Sequence, residues 1–217
     1  METPHEGRIA LIFLRYENWK SYLRFYPVTC LILLINIVMF IVLTVQGGSE
    51  NSLTLIRYGA LINEAPFTDQ LWRYVSAMFL HAGFDHLLFN SFAILVFAPP
   101  LERLLGSLRY VLLYLVTGIV GNILSIAHYN MLAETTVSVG ASGAIYGIYG
   151  AFLYVALFQR SLMDDASRKT LYTLLGFGIL FSFAVANINW TAHFGGLLSG
   201  FFFYGLLIRL TGQRKRH

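Results

Sequence analysis

Long apolar stretches separated by short polar segments are the main pattern of this sequence. Six of them are long enough to form helices that cross a bilayer, which takes about 17–25 mostly apolar residues each. They cover residues 26–46, 84–101, 108–128, 142–159, 170–187 and 192–210. The pattern predicts an all-α, polytopic membrane protein with six transmembrane helices.

The longest connection separates the first apolar stretch from the second and contains Trp72 and Arg73 within APFTDQLWRY. A long connection in a compact fold commonly has structure of its own, so we expect short helices there, partly embedded in the membrane. Taken alone, the Trp72 ring fits an aromatic belt at the membrane interface, with Arg73 reaching to lipid headgroups.

The chain divides into three predicted parts. Residues 1–25 combine basic residues with the apolar-aromatic stretch IALIFLRYENW, which indicates an amphipathic segment on the membrane surface and not a cleavable signal peptide. Residues 26–210 form the six-helix membrane domain, and residues 211–217 form a basic tail.

Composition agrees with a membrane protein and excludes several classes. Charged residues make up 12% of the chain and hydrophobic residues 57%, whereas a soluble domain has about 25% charged residues. The single cysteine, Cys30, cannot form an internal disulfide. The sequence has no phosphate-binding glycine loop, CxxC pair or HExxH helix, which argues against a nucleotide-driven transporter, a zinc ribbon or a zinc protease.

The basic residues predict the orientation of the chain in the membrane. With the N-terminus in the cytoplasm, thirteen of the 15 lysines and arginines lie on the cytoplasmic side, and only Arg57 and Arg73 lie outside. Cytoplasmic loops carry such an excess of positive charge, so both termini are predicted to be cytoplasmic. The tail QRKRH would then lie near anionic lipid, and the net charge of +4 does not indicate a nucleic-acid partner.

Three helices begin with polar residues at one depth. The second, fourth and sixth stretches run inward from the outer face and begin with DHLLFN, SGAIYG and AHFGG, which places His86, Asn90, Ser142 and His193 in the outer leaflet. Eighteen residues separate Ser142 from Arg160 at the inner face, a helical rise of about 27 Å against a hydrocarbon core of ~30 Å. Ser142 should therefore lie at the base of a water-filled depression.

Paired glycines provide a way for two of these helices to meet. Small residues four apart let helix backbones approach closely in lipid. The fourth stretch has one such pair and the sixth has another: Gly143 with Gly147, and Gly196 with Gly200. Contact between these faces would bring the serine of one helix to the histidine of the other.

A serine beside an imidazole indicates nucleophilic catalysis, because the imidazole can take the hydroxyl proton. We expect Ser142 as nucleophile and His193 as base, with the Ser142 N–H, His86 and Asn90 as donors to an oxyanion. Neither the fourth nor the sixth stretch has an acidic residue, so we predict a dyad in which Tyr146 or packing holds the imidazole.

Five motifs in order carry a family resemblance: WR at 72–73, HAGFDHLLFN at 81–90, ERLLGS at 102–107, GASG at 140–143 and AHFGGLLSG at 192–200. With them the chain resembles the rhomboid intramembrane serine proteases, in their compact six-helix bacterial form. The resemblance implies a nucleophilic Ser142, a base at His193, and His86 and Asn90 polarising the scissile carbonyl. It also implies that Tyr146 stacks on the base and that Gly140 is the first glycine of GxSG.

A metal site is a weaker interpretation of the histidines. His81 and His86 are five residues apart, about 140° around a helix, so they could share a metal with His193 only if His81 lies in non-helical backbone. We expect neither a metal nor a cofactor. Glu102, near the inner face, is expected to pair with a basic neighbour.

The resemblance implies a serine endopeptidase, and the hydropathy and charge patterns place it in the cell membrane with a site that opens toward the extracytoplasmic side. Its expected partners are the lipid bilayer and the transmembrane proteins that it cleaves in or beside their membrane segments. Two other functions stay open: a non-catalytic rhomboid-like scaffold that binds client helices, and a small transporter. A transporter would more typically have an intramembrane acidic residue or paired broken helices.

Overall fold

The computed structural model describes residues 13, 17–185 and 188–212. Most of the predicted segment at 1–25 and of the tail at 211–217 therefore lies outside the described residues. The helices are α1 (Trp19–Phe25), α2 (Pro27–Val45), α3 (Ser52–Arg57), α4 (Arg73–Ser76), α5 (Phe84–Leu105), α6 (Ser107–Leu132), α7 (Ser142–Phe158), α8 (Asp165–Ala184) and α9 (Trp190–Leu210). Single 3₁₀ turns follow α4 at Ala77–Phe79 and α7 at Arg160–Leu162, and two short strands are β1 (Leu61–Ile62) and β2 (Val137–Ser138).

Each of the six apolar stretches falls on one long helix, namely α2 or one of α5–α9. By length and composition, α2, α5, α6 and α9 could cross a membrane. The apolar helix α7 is shorter, at 17 residues. Helix α8 begins with charged residues at Asp165, Arg168 and Lys169, and these shorten its apolar part.

Helix α7 lies at the centre of the fold, with twelve of its 17 residues buried. Its contact with α9 is made between backbones, because a Cβ at Gly196 would overlap the Gly143 carbonyl and a Cβ at Gly200 would overlap that of Gly147. On its other side α9 lies against α6, where a Cβ at Gly121 would come within 2.6 Å of the Ala192 carbonyl oxygen. Small residues at such positions allow close helix approach in a bilayer.

Helix α8 lies at the periphery of this arrangement. Only four of its 20 residues are buried, which are Ser167, Leu171, Leu175 and Ser182. Large apolar side chains, including those of Phe177, Leu180 and Phe183, are exposed on its outer surface.

In the part of the chain that the structure describes, two short strands depart from the all-α prediction. Strand β1 pairs antiparallel with β2, with Leu61 opposite Ser138 and Ile62 opposite Val137. A strand of two residues is too short to give the alternating pattern by which strands are predicted. The pairing ties the long connection after α2 to the segment that leads into α7.

The long connection is organised around Arg73, which is only 4% exposed. Its Nη1 donates to the carbonyls of Ile56 at 2.7 Å and Ala60 at 2.8 Å. The guanidinium also lies 4.6 Å from the ring of Phe67 and 4.7 Å from that of Trp72. Arg73 therefore fixes the fold of the connection, and the interpretation that it reaches to lipid headgroups is wrong.

Among the described residues, no basic side chain forms the ion pair that was expected for Glu102. The carboxylate is 1% exposed and accepts hydrogen bonds from the first turn of α2, namely from Val28 N at 3.0 Å, Thr29 N at 2.9 Å and Thr29 Oγ1 at 2.7 Å. Ser107 Oγ, at the start of α6, donates to it at 2.7 Å. Backbone N–H groups at a helix start lack intrahelical acceptors and favour negative charge, so these donors compensate the buried carboxylate.

Candidate active site

The starts of α5, α7 and α9 lie together at one end of the fold. The backbone of Gly140, just before α7, lies beside His86 of α5, and Ser142 of α7 contacts His193 of α9. Glu102, near the other end of α5, contacts the start of α2 at the opposite end of the fold. Helices α5, α7 and α9 thus begin at the same end of the fold, and this brings together the polar helix starts that the sequence placed at one depth.

Ser142 and His193 are joined by a hydrogen bond of 2.8 Å between Ser142 Oγ and His193 Nε2. The two residues are 51 positions apart in the chain and lie on the helices held together by Gly143 and Gly196. Both side chains are half-buried. A hydroxyl and a ring nitrogen at this separation have the geometry for proton transfer from serine to histidine.

Gly140 shapes the turn that places Ser142 at the first position of α7. Its φ of +124° is rarely adopted by residues with a side chain, and a Cβ there would lie 2.6 Å from His86 Nε2. Its own N–H donates to the Ala77 carbonyl at 2.9 Å. The first N–H groups of α7 have no acceptor within the helix, so they are donors at the mouth of the site.

The imidazole of His193 lies against the ring of Tyr146. The ring centroids are 4.2 Å apart and the planes differ by 8°, which is a stacked arrangement. Tyr146 is one turn after Ser142 on α7, so the same helix presents both the hydroxyl and the ring that covers the imidazole.

Ser182 of α8 was missed by the sequence analysis and lies at the second nitrogen of the imidazole. Its Oγ is 2.7 Å from His193 Nδ1 and 3.0 Å from the Tyr146 hydroxyl. It also donates to the Gly178 carbonyl at 2.7 Å. A serine in an apolar helix usually bonds the carbonyl one turn back, so the sequence contained no signal that distinguished this one.

Asn189 fixes the start of the helix that bears His193. Its Oδ1 accepts from Ala192 N at 3.1 Å, which caps α9, and its Nδ2 donates to Ser138 Oγ at 2.9 Å and to Ser125 Oγ. The side chain thus connects α9 to β2 and to α6. An asparagine just before an apolar stretch is a recognisable N-cap signal. The two hydrogen bonds that Asn189 makes to Ser125 and Ser138, which are distant in the sequence, could not be predicted from that signal.

His86 and Asn90 border the site from α5. Asn90 Nδ2 is buried, and no acceptor for it is found in the described part of the chain. A Cβ on Gly140 would lie 3.6 Å from that nitrogen, so the unused donor is close to the turn before Ser142. Buried donors are normally satisfied, and an unused donor near the turn that leads into Ser142 is suited to an incoming oxygen atom.

His81, His86 and His193 do not come together as a set of metal ligands. The rings of His81 and His86 meet edge-on with centroids 5.1 Å apart, and His193 is engaged by two serines. Within residues 13, 17–185 and 188–212 there is no group of three or more metal-ligating side chains.

The fold and site are therefore those of a helical membrane protein with a serine–histidine pair near one end. Comparison with known proteins gives the family: the rhomboid domain model matches residues 68–210. The chain belongs to the rhomboid family of intramembrane proteases, as its five motifs indicated, and it is a multi-pass membrane protein.

Individual relatives agree with this assignment. YdcA from Bacillus subtilis (strain 168), which carries a provisional rhomboid protease name, is 39% identical over 208 residues, or 94% of this chain and 98% of YdcA. Rhomboid protease GluP from the same organism is 38% identical over 174 residues, or 80% of this chain but 33% of GluP. RHOMBOID-like protein 6, mitochondrial, from Arabidopsis thaliana is 37% identical over 155 residues, or 70% of this chain and 48% of that protein.

Proposed function

We propose that this protein is a serine endopeptidase that hydrolyses peptide bonds in or beside the transmembrane segments of other membrane proteins, with Ser142 as nucleophile and His193 as general base. The 2.8 Å hydrogen bond between Ser142 Oγ and His193 Nε2 is the observation that carries the proposal. The protease names of YdcA and GluP support the same reaction class.

The reaction begins when Ser142 Oγ attacks the scissile carbonyl carbon while His193 Nε2 takes its proton. Collapse of the tetrahedral intermediate breaks the C–N bond, and His193 gives the proton to the departing amine. Water then attacks the acyl-enzyme, again with His193 as base, and releases the carboxyl product and free Ser142.

The negative charge on the intermediate needs donors that are already in place. We assign this role to the Ser142 N–H, to His86 and to Asn90. Asn90 Nδ2 has no acceptor among the described residues, which supports the assignment, because this group can donate to an oxyanion without giving up a hydrogen bond seen there. Tyr146, stacked on His193, limits the tilt of the base, and Gly140, Gly143, Gly147, Gly196 and Gly200 set the spacing of the helices that carry the site.

We further propose that α2 and α5–α9 all cross the cell membrane, with both termini in the cytoplasm and the site open to the extracytoplasmic side. Thirteen of the 15 basic residues then lie on the cytoplasmic side. A regular helix shields its own carbonyls, so substrates should contain small or helix-breaking residues near the cleaved bond.

The experiment is cleavage of a model single-span protein by the purified protein in liposomes. Ser142→Ala should lower the rate by at least ~10³-fold, since the nucleophile is lost. Ser199→Ala is the matched control, because Ser199 also lies in an apolar helix but bonds only the carbonyls of Gly195 and Gly196. A fluorophosphonate should label the wild type and not Ser142→Ala.

Equal cleavage by the wild type and Ser142→Ala would refute the proposal. Binding of the single-span protein without cleavage or labelling would instead favour a scaffold, and uptake of a solute into the liposomes would favour a transporter.

A further inference from the structure

The imidazole of His193 has a partner at each nitrogen, so its hydrogen bonds can be assigned one by one. If His193 takes the proton of Ser142, Nε2 must be an acceptor in the resting state. A neutral imidazole carries one proton, which must then be on Nδ1. The only tautomer that can act as base is therefore the one in which Nδ1–H donates to its own partner, Ser182 Oγ, at 2.7 Å.

The other bonds of Ser182 favour this direction. A serine hydroxyl has one hydrogen to donate and two lone pairs to accept with. The Gly178 carbonyl, at 2.7 Å, can only accept, so it takes the hydrogen of Ser182. The lone pairs then accept from His193 Nδ1–H and from the Tyr146 hydroxyl at 3.0 Å. Every donor in the group is used once and no two hydrogens point at each other.

The opposite tautomer breaks this arrangement. With the proton on Nε2, Nδ1 becomes an acceptor and Ser182 has to turn its hydrogen away from Gly178. The Gly178 carbonyl loses that bond, and the Ser142 hydroxyl faces an N–H instead of a base. A buried polar group that loses its hydrogen bond is strongly disfavoured, so the arrangement selects one tautomer.

We propose that Ser182 is a positioning residue that holds His193 in the Nδ1–H tautomer, in the place that a carboxylate occupies in serine protease triads. This inference rests on the proposed function of Ser142 and His193. Ser182 does not touch the reacting atoms, and it acts through the orientation and proton position of the imidazole.

A hydroxyl suits this position for a physical reason. Ser182 is 5% exposed and lies near the end of an apolar helix. Burying a carboxylate there would be costly without several donors around it, whereas a hydroxyl is satisfied by the three bonds described. The lack of an acidic residue in α7 and α9 therefore does not leave the imidazole without a polar support.

The local shape of α8 also fits this role. A Cβ on Gly178 would lie 2.7 Å from the Tyr146 hydroxyl oxygen, so the glycine makes room for that hydroxyl beside Ser182. Gly178 and Ser182 are four residues apart and share one face of the helix. This face receives the edge of Tyr146 and the Nδ1 side of His193 together.

The test compares Ser182→Ala with Ser182→Thr, which keeps the hydroxyl, and with the control Ser199→Ala. The proton position on His193 is read from ¹⁵N chemical shifts of the labelled imidazole, and kcat and KM are measured in liposomes. Ser182→Ala should give a mixture of tautomers and lower kcat by about 10–100-fold, the loss seen when a metal-binding histidine loses the partner that orients it, with KM changed less than about 2-fold. Ser182→Thr should retain the Nδ1–H tautomer.

The proposal is overturned if wild-type His193 carries its proton on Nε2, or if Ser182→Ala leaves the tautomer unchanged, whatever happens to its activity. These outcomes differ from failure of the proposed function, in which cleavage would be insensitive to Ser142→Ala. The nitrogen spectrum requires no turnover, so it reports on Ser182 independently of the reaction.

Discussion

The backbone contact between α7 and α9 leads to a sharp prediction for Gly196→Ala. A methyl group at Gly196 would overlap the carbonyl oxygen of Gly143. No side chain can rotate to relieve this overlap, because the opposing atom is backbone, so the two helices must move apart. Overpacking of this kind typically costs about 1–3 kcal/mol, and we expect a loss of stability in this range or somewhat above it.

Cleavage by Gly196→Ala should fall even where the variant remains folded. Gly196 is one turn from His193, and Gly143 is next to Ser142, so the separation occurs at the reacting pair. A misplacement of about 1 Å at an active site can cost ~10²-fold in rate. We therefore expect cleavage to fall about 100-fold under conditions in which the variant is still fully folded.

Gly176→Ala is the matched control for this variant. Gly176 also lies in an apolar helix, but nothing lies within 4 Å of a Cβ added there. Alanine is the better helix former by up to about 1 kcal/mol, so this variant should be as stable as the wild type or slightly more stable. The assays are unfolding in mild detergent, followed by circular dichroism, and cleavage of a single-span substrate in liposomes. If Gly196→Ala matched Gly176→Ala in both assays, the close packing of α7 on α9 would not control the site.

Three further variants test other contacts. Glu102→Ala leaves donors of α2 and α6 without their acceptor and should lower the free energy of unfolding by about 2–4 kcal/mol. Glu102→Gln should have an intermediate effect, and an unchanged unfolding curve would contradict the role of this carboxylate. Asn189→Ala removes the cap of α9 and should lower the free energy of unfolding by about 0.5–2 kcal/mol, and it should also lower kcat. A loss of stability with unchanged kcat would show that this cap does not align His193. Tyr146→Phe keeps the stacked ring and loses the bond to Ser182, so its kcat should fall less than about 10-fold. The kcat of Tyr146→Ala, which also loses the ring, should fall further. Equal rates for the two variants would rule out stacking as the support of the base.

The helices were predictable because apolar runs of sufficient length have few alternatives in a bilayer. Each of the six stretches falls on one helix, and the matching depth of the polar helix starts placed Ser142 and His193 at the same end. The glycine pairs indicated which helices would meet. These features depend on periodicity and length, which are properties of the sequence itself.

Contacts between distant segments were not predictable in the same way. The bond from Ser182 to His193 requires the lateral position and rotation of α8, which hydropathy does not specify. Glu102 was expected to pair with a basic side chain, but it accepts hydrogen bonds from the starts of α2 and α6, which only the packing of these helices brings to it. The strand pair at Leu61–Ile62 is too short to leave a periodic signal.

The peripheral placement of α8 has a consequence for the setting in which the protein works. Sixteen of its 20 residues escape burial. In the proposed topology, lipid acyl chains contact much of this surface, and the extracytoplasmic end of α8 bears the hydroxyl that meets the imidazole of His193. Bilayer thickness and lateral pressure act on a helix through such a surface. The same chain should therefore hydrolyse a given substrate at different rates in thin and thick membranes.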